Sequence, residues 1–71
     1  MRYFAYVHEK NRRLVITDDE GKHLTEQIEL RESTSIRQMA IGTLKELGYS
    51  PISRWSEFSH YSYAEIRKNS R

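Results

Sequence analysis

A chain of 71 residues makes one domain, near the lower end of what folds without staples or metals. It has no cysteine, which excludes a disulfide scaffold and every thiolate zinc site. With 37% hydrophobic residues, a deep water-excluding catalytic cleft would have to be cut out of the core itself. The expectation is a protein that acts through its outer surface and is not an enzyme.

The net charge of +2 is unevenly spread. Residues 1–35 carry six Lys/Arg against seven Asp/Glu, whereas residues 36–71 carry six against three. A basic half favours polyanionic partners, although an excess this small also describes an ordinary solvated surface. No apolar run is long enough for a signal-peptide core or a membrane span, so the expected location is cytoplasmic. Met1 reads as an initiator, implying a complete small protein.

In chain order, residues 2–8 are aromatic and branched, which suits a pleated strand. Alternation sets Tyr3, Ala5 and Val7 against Phe4, Tyr6 and His8. Both sets are apolar enough to predict a central or doubly covered strand. Glu9–Arg12 reads as a turn with Asn11 in the left-handed conformation, and Arg13–Thr17 as the second strand of a hairpin. Asp18-Asp19-Glu20-Gly21 is a turn in which glycine supplies positive φ; it lacks the ligand spacing of a calcium loop. His23–Leu30 alternates strictly and predicts a third strand, with His23, Thr25, Gln27 and Glu29 on a wet face.

Ser35-Ile36-Arg37-Gln38 fits a helix-capping box. Ile36, Met39, Ala40, Thr43, Leu44 and Leu47 recur at helical spacing and define one buried stripe. Ile41 lies off the stripe and must meet a second layer or solvent. Gly48 occupies the left-handed cap position, and Pro51 blocks continuation, so the helix is expected over 36–47. Beyond Pro51, the serines at 53, 56, 59 and 62 argue against another long amphipathic helix. Three paths remain open there: a hairpin turning at Ser59-His60, a loop followed by one strand, or a short terminal helix. Residues 66–71 read as a frayed basic tail.

These elements predict an α+β fold: a single small two-layer domain whose antiparallel sheet comprises a three-strand meander and one or two later strands. The helix packs on one face.

The sequence offers little catalytic equipment. His8, His23 and His60 fall in separate segments without a paired metal-ligand spacing. No serine sits in a nucleophile elbow, no glycine-rich phosphate loop occurs, and the adjacent acids 18–20 read as solvated turn residues. No cofactor or metal is expected. The most suggestive feature is the aromatic–basic stretch Arg54, Trp55, Phe58, His60, Tyr61, Tyr63, Arg67 and Lys68. Such residues dominate protein-interface hot spots and can also stack bases while holding phosphates. They equally serve a small core. Arg54, Trp55, His60, Tyr61, Tyr63, Arg67 and Lys68 are the candidate partner-binding residues.

The leading expectation is therefore a regulator or stoichiometric inhibitor that docks on a larger protein. A nucleic-acid-binding module is the alternative, and a His60-centred nuclease or hydrolase is a third, weaker one. Pairing of two copies through an open sheet edge is a further option.

Overall fold

β1 (Tyr3–His8) runs up the middle of a six-stranded antiparallel sheet in a computed structural model that describes residues 2–31 and 35–69. The other strands are β2 (Arg13–Asp18), β3 (Ile28–Glu29), β4 (Tyr49–Pro51), β5 (Ser56–Glu57) and β6 (Ser62–Lys68). They lie in the order β3-β2-β1-β6-β4, and β5 also pairs with β6. β4 meets residues 66–68 of β6 and β5 meets residues 62–63, so the two short strands share one edge. The one helix among the described residues, α1 (Ile36–Glu46), packs on one face of this sheet. The expected α+β two-layer architecture is what forms.

Register explains which residues the helix covers. Ala5 lies opposite Ile16 and Ala64, and Val7 opposite Leu14 and Ser62. These pairs share one face, and with Leu30, Ile66 and the helix residues Ala40 and Leu44 they form the buried core. Small residues at 5, 40 and 64 let helix and sheet approach closely. Tyr3, Ile28, Ile36, Met39, Tyr49 and Trp55 pack around that centre, half-buried.

Helix α1 begins where the serine cap places it: the Gln38 N–H donates to Ser35 Oγ at 3.3 Å. It stops one residue earlier than expected, with Leu47 as C-cap and Gly48 at φ +92° beyond it. The Gly48 N–H donates to the Lys45 carbonyl, closing the last turn. Leu47, expected in the buried stripe, is 44% exposed because the chain is already turning away. Ile41 is half-buried.

Several strand boundaries differ from the sequence expectation. The left-handed residue of the β1–β2 turn is Arg12 (φ +53°), not Asn11. Four residues separate His8 from its partner Arg13, and loops of this length place the left-handed residue just before the returning strand. The third strand is interrupted. Thr17 pairs with His23 and Leu14 with Ile28, so five residue steps on the outer strand face three on β2. Two extra residues bulge outward, leaving Leu24 38% exposed. Beyond the helix, Tyr49–Pro51 adds a strand that the sequence reading missed; its proline sits at the sheet edge, where a missing N–H is tolerated.

The final segment takes the hairpin path. The Phe58 N–H donates to the Tyr61 carbonyl, with Ser59 and His60 at the tip. The terminal-helix option is excluded, because β6 continues to Lys68. Residues 66–68 are thus paired strand and not a frayed tail, and Asn69 N–H still donates to the Gly48 carbonyl. Residues 70 and 71 lie outside the described part. No helix among the described residues is long and apolar enough to cross a membrane.

Leu44 is fully buried and Leu47 is at the surface, so the two leucines separate packing from composition. Leu44→Ala should cost about 2–5 kcal/mol and Leu47→Ala less than about 0.5 kcal/mol, measured by urea unfolding. Equal effects would disprove the placement of the helix.

Candidate interaction surface

The face opposite the helix is built by the other half of the same alternation. β1 contributes Phe4, Tyr6 and His8; β2 contributes Arg13, Val15 and Thr17; β6 contributes Tyr63, Glu65 and Arg67. No helix or second sheet among the described residues packs over this face, although Val15 and Thr17 on its β2 side are buried. The reason is chain length: one helix of 11 residues shields one face only. β1 is central, one of the two placements expected, with Phe4, Tyr6 and His8 half-buried.

The rings on this face gather into a cluster. Tyr6 and Tyr63, direct cross-strand partners, stack with centroids 5.5 Å apart and planes 22° apart. Phe58, on the β5–β6 hairpin, lies nearly parallel to both Tyr61 and Tyr63 at 5.1 and 5.6 Å. Tyr61 also approaches Tyr6 and His8, and Phe4 approaches Tyr63 at 6.4 Å. These spacings suit offset aromatic pairs. Phe58 remains 53% exposed, and the tyrosines and Phe4 are half-buried. The result is a continuous aromatic patch open to solvent.

Charge surrounds the patch but does not enter it. Arg2 donates two hydrogen bonds to the Glu65 carboxylate, at 3.0 and 2.9 Å, and sits 5.3 Å over the Phe4 ring. The bidentate pairing raises the Arg2 pKa and lowers that of Glu65, in each case chiefly through the side-chain hydrogen bond between them. Arg13 donates to Gln27 at 2.7 Å and faces Glu29 across the register. Arg67 is exposed on the same side.

A second polar cluster holds the helix end of the sheet together. Arg37 forms ion pairs with Glu9 and Glu57 and donates to Ser62 Oγ at 3.2 Å. Ser62 in turn donates to Glu9 at 2.8 Å. The Arg37 pKa is raised, first by its hydrogen bond to Glu57. Four segments meet here, and Ser62 is buried, so the cluster belongs to the scaffold.

The seven candidate residues from the sequence do not form one patch. Tyr61, Tyr63 and Arg67 lie on the open face. His60 is exposed at the adjoining hairpin tip, while Arg54 is exposed in the connection between β4 and β5. Lys68 is exposed opposite Tyr49, on the other side of β6 from Arg67. Trp55 packs against the core. Strand alternation splits a stretch that looks continuous in sequence. The sequence reading missed Phe4, Tyr6 and His8 as partners of Tyr61 and Tyr63. Their alternation was visible, but the long-range pairing of β1 with β6 was not. Among the described residues no group of three or more His, Asp or Glu could hold a metal ion.

Comparison with protein families, curated proteins and solved structures yields no match for this chain.

The Arg2–Glu65 pair makes a pH prediction. Because the Glu65 pKa is depressed in the folded state, its stabilising contribution is present above the ordinary carboxylate range. It disappears as pH falls through the folded value. In an NMR titration the Glu65 carboxylate should protonate at lower pH than in Arg2→Ala; identical midpoints would refute the pairing.

Proposed function

We propose that this chain is a non-enzymatic interaction protein, a small regulator or stoichiometric inhibitor that docks on a larger protein through the open face of its sheet. The observation that carries this reading is the solvent-accessible cluster of Tyr6, Phe58, Tyr61 and Tyr63 on the face that α1 leaves free. Soluble monomers seldom expose a contiguous apolar patch without a use for it. Aromatic residues and arginine are enriched where proteins bind each other, and lysine and glutamate are depleted.

Charge favours a protein over a polyanion. On the open face Arg2, Arg13 and Arg67 stand against Glu29 and Glu65, and Arg2 is already neutralised by Glu65. A site built for a nucleic-acid strand would carry several free cations along the backbone path. The partner surface that fits is apolar at its centre, with carboxylates placed to meet Arg13 and Arg67.

Dimensions agree with single-face docking. The molecule spans 30 × 24 × 23 Å, so one whole face offers at most about 700 Å², close to the roughly 800 Å² per partner of a standard interface. The edges offer less: β3 and β5 have two residues each and β4 three, too short to template extended pairing of two copies. A cytoplasmic setting is part of the proposal, and a cysteine-free chain fits a reducing compartment without penalty.

Affinity capture with the wild-type chain should return one defined protein. Binding of that purified protein should weaken by about 2 kcal/mol, roughly thirtyfold, in Phe58→Ala or Tyr61→Ala. Lys45→Glu, exposed on the helix across the sheet from this face, should have little effect. Labelled single-stranded DNA and RNA supply the competing outcome. Micromolar binding that falls steeply with salt, with no protein captured, would replace this reading with the nucleic-acid one.

A further inference from the structure

Beside the aromatic cluster the open face dips into a cleft of about 260 Å³, walled by Tyr6, His8, Val15, Thr17, His23 and Gln27. The cleft follows from the interrupted third strand. Where the outer strand bulges by two residues between His23 and Ile28, it brings His23 and Gln27 around the Tyr6–Val15–Thr17 surface.

The lining is rich in hydrogen-bond donors. Thr17 is only 4% exposed, and its hydroxyl has no hydrogen-bond partner. A buried unpaired hydroxyl is costly and rare in a folded protein. Gln27 Oε1 accepts from Arg13 Nη1, which fixes the amide orientation and turns its NH₂ end to donation. His8 and His23 each bring a ring N–H. No carboxylate among the described residues lines the cleft; Asp19, Glu20 and Glu26 of the neighbouring loop are exposed and outside it. The remaining walls, the Tyr6 ring and Val15, are apolar.

Donors rim an apolar floor of Tyr6 and Val15: Thr17 and His23 pair at one end, and His8 lies at the other, beside Arg13. We propose that the cleft binds a carboxylate carried on a small flat or apolar group, the carboxylate accepting hydrogen bonds at the Thr17–His23 end of the cleft and from Gln27. A cation finds no acid there, and a phosphate dianion would call for Lys or Arg in the lining itself. The volume equals roughly nine waters at about 30 Å³ each, which suits a benzoate-sized acid. The same carboxylate could belong to a free metabolite-sized acid or to an acidic side chain of a docked protein. This inference does not depend on docking through the aromatic patch.

Amide NMR of the isotope-labelled chain, titrated with benzoate, with its neutral isostere benzamide and with the capped dipeptide N-acetyl-Phe-Glu-amide, tests it. Saturable shifts confined to residues 6–8, 15–17 and 21–27 are expected, with benzamide roughly tenfold weaker because it lacks the charge-assisted bonds. Saturation by benzoate assigns a free acid, and saturation by the dipeptide alone assigns a partner's side chain. Thr17→Val should keep the fold, raise the melting temperature of the unliganded chain and weaken benzoate roughly tenfold or more, the worth of one hydrogen bond to a charged group. Gln27→Ala, at an exposed position, should weaken it similarly. Phe58→Ala should leave the titration unchanged, which separates this site from the docking face. Absent or scattered shifts, equal binding of benzamide, or wild-type affinity in both cleft variants would overturn the proposal.

Discussion

The pairing of β1 with two neighbours at once, β2 along one edge and β6 along the other, is the constraint from which the rest of this structure follows. It joins residues near the start of the chain to residues near its end and fixes both faces of the sheet together. On one face it aligns Ala5 with Ile16 and Ala64, and Val7 with Leu14 and Ser62. On the other it aligns Phe4 and Tyr6 with Glu65 and Tyr63. A slip of one residue would exchange the two sets and place tyrosines under the helix. The small residues at 5, 40 and 64 would then have no counterpart, so the register is strongly specified.

The two faces solve different problems with the same strand. Under α1 the side chains are small or aliphatic, and water is excluded. On the uncovered face the apolar area must remain compatible with water, and tyrosine is suited to that because its ring packs while its hydroxyl stays hydrated. Mutual stacking of Tyr6, Tyr61, Tyr63 and Phe58 removes part of their area from solvent without a covering layer. The patch is thereby tolerable in the free chain and still available to a partner.

Local features of this fold were legible in the sequence wherever one residue dictates one conformation. Ser35 and Gly48 bracket the helix as their chemistry requires, and Gly21 (φ +85°) turns the chain after β2. Asp18 explains why that acid-rich loop needs no ion: its Oδ1 accepts from the Glu20 and Lys22 N–H groups, an Asx-type turn. Features set by distant partners were not legible. The bulge in 23–28 depends on which residues of β2 are opposed. The strand at Tyr49–Pro51 exists because β6 offers it an edge. The division of the stretch from Arg54 to Lys68 depends on where β6 begins to alternate. Trp55, conspicuous in sequence as a binding residue, is held against the core, whereas Phe4 and Tyr6, which look like core, are on the open face.

That inversion bears on how so small a chain can carry a function at all. Its core uses mostly aliphatic and small side chains, leaving five of its aromatic residues, Phe4, Tyr6, Phe58, Tyr61 and Tyr63, outside. Stability alone does not call for that arrangement, since burying those rings would be worth more than stacking them in water. The same face also holds the buried Thr17 hydroxyl without a partner, another feature that a sequence selected only for folding would replace with valine. Two departures from the most stable solution fall side by side, on the one face the helix leaves free. Such departures concentrate where a protein meets what it binds, and the open face is where this chain places both.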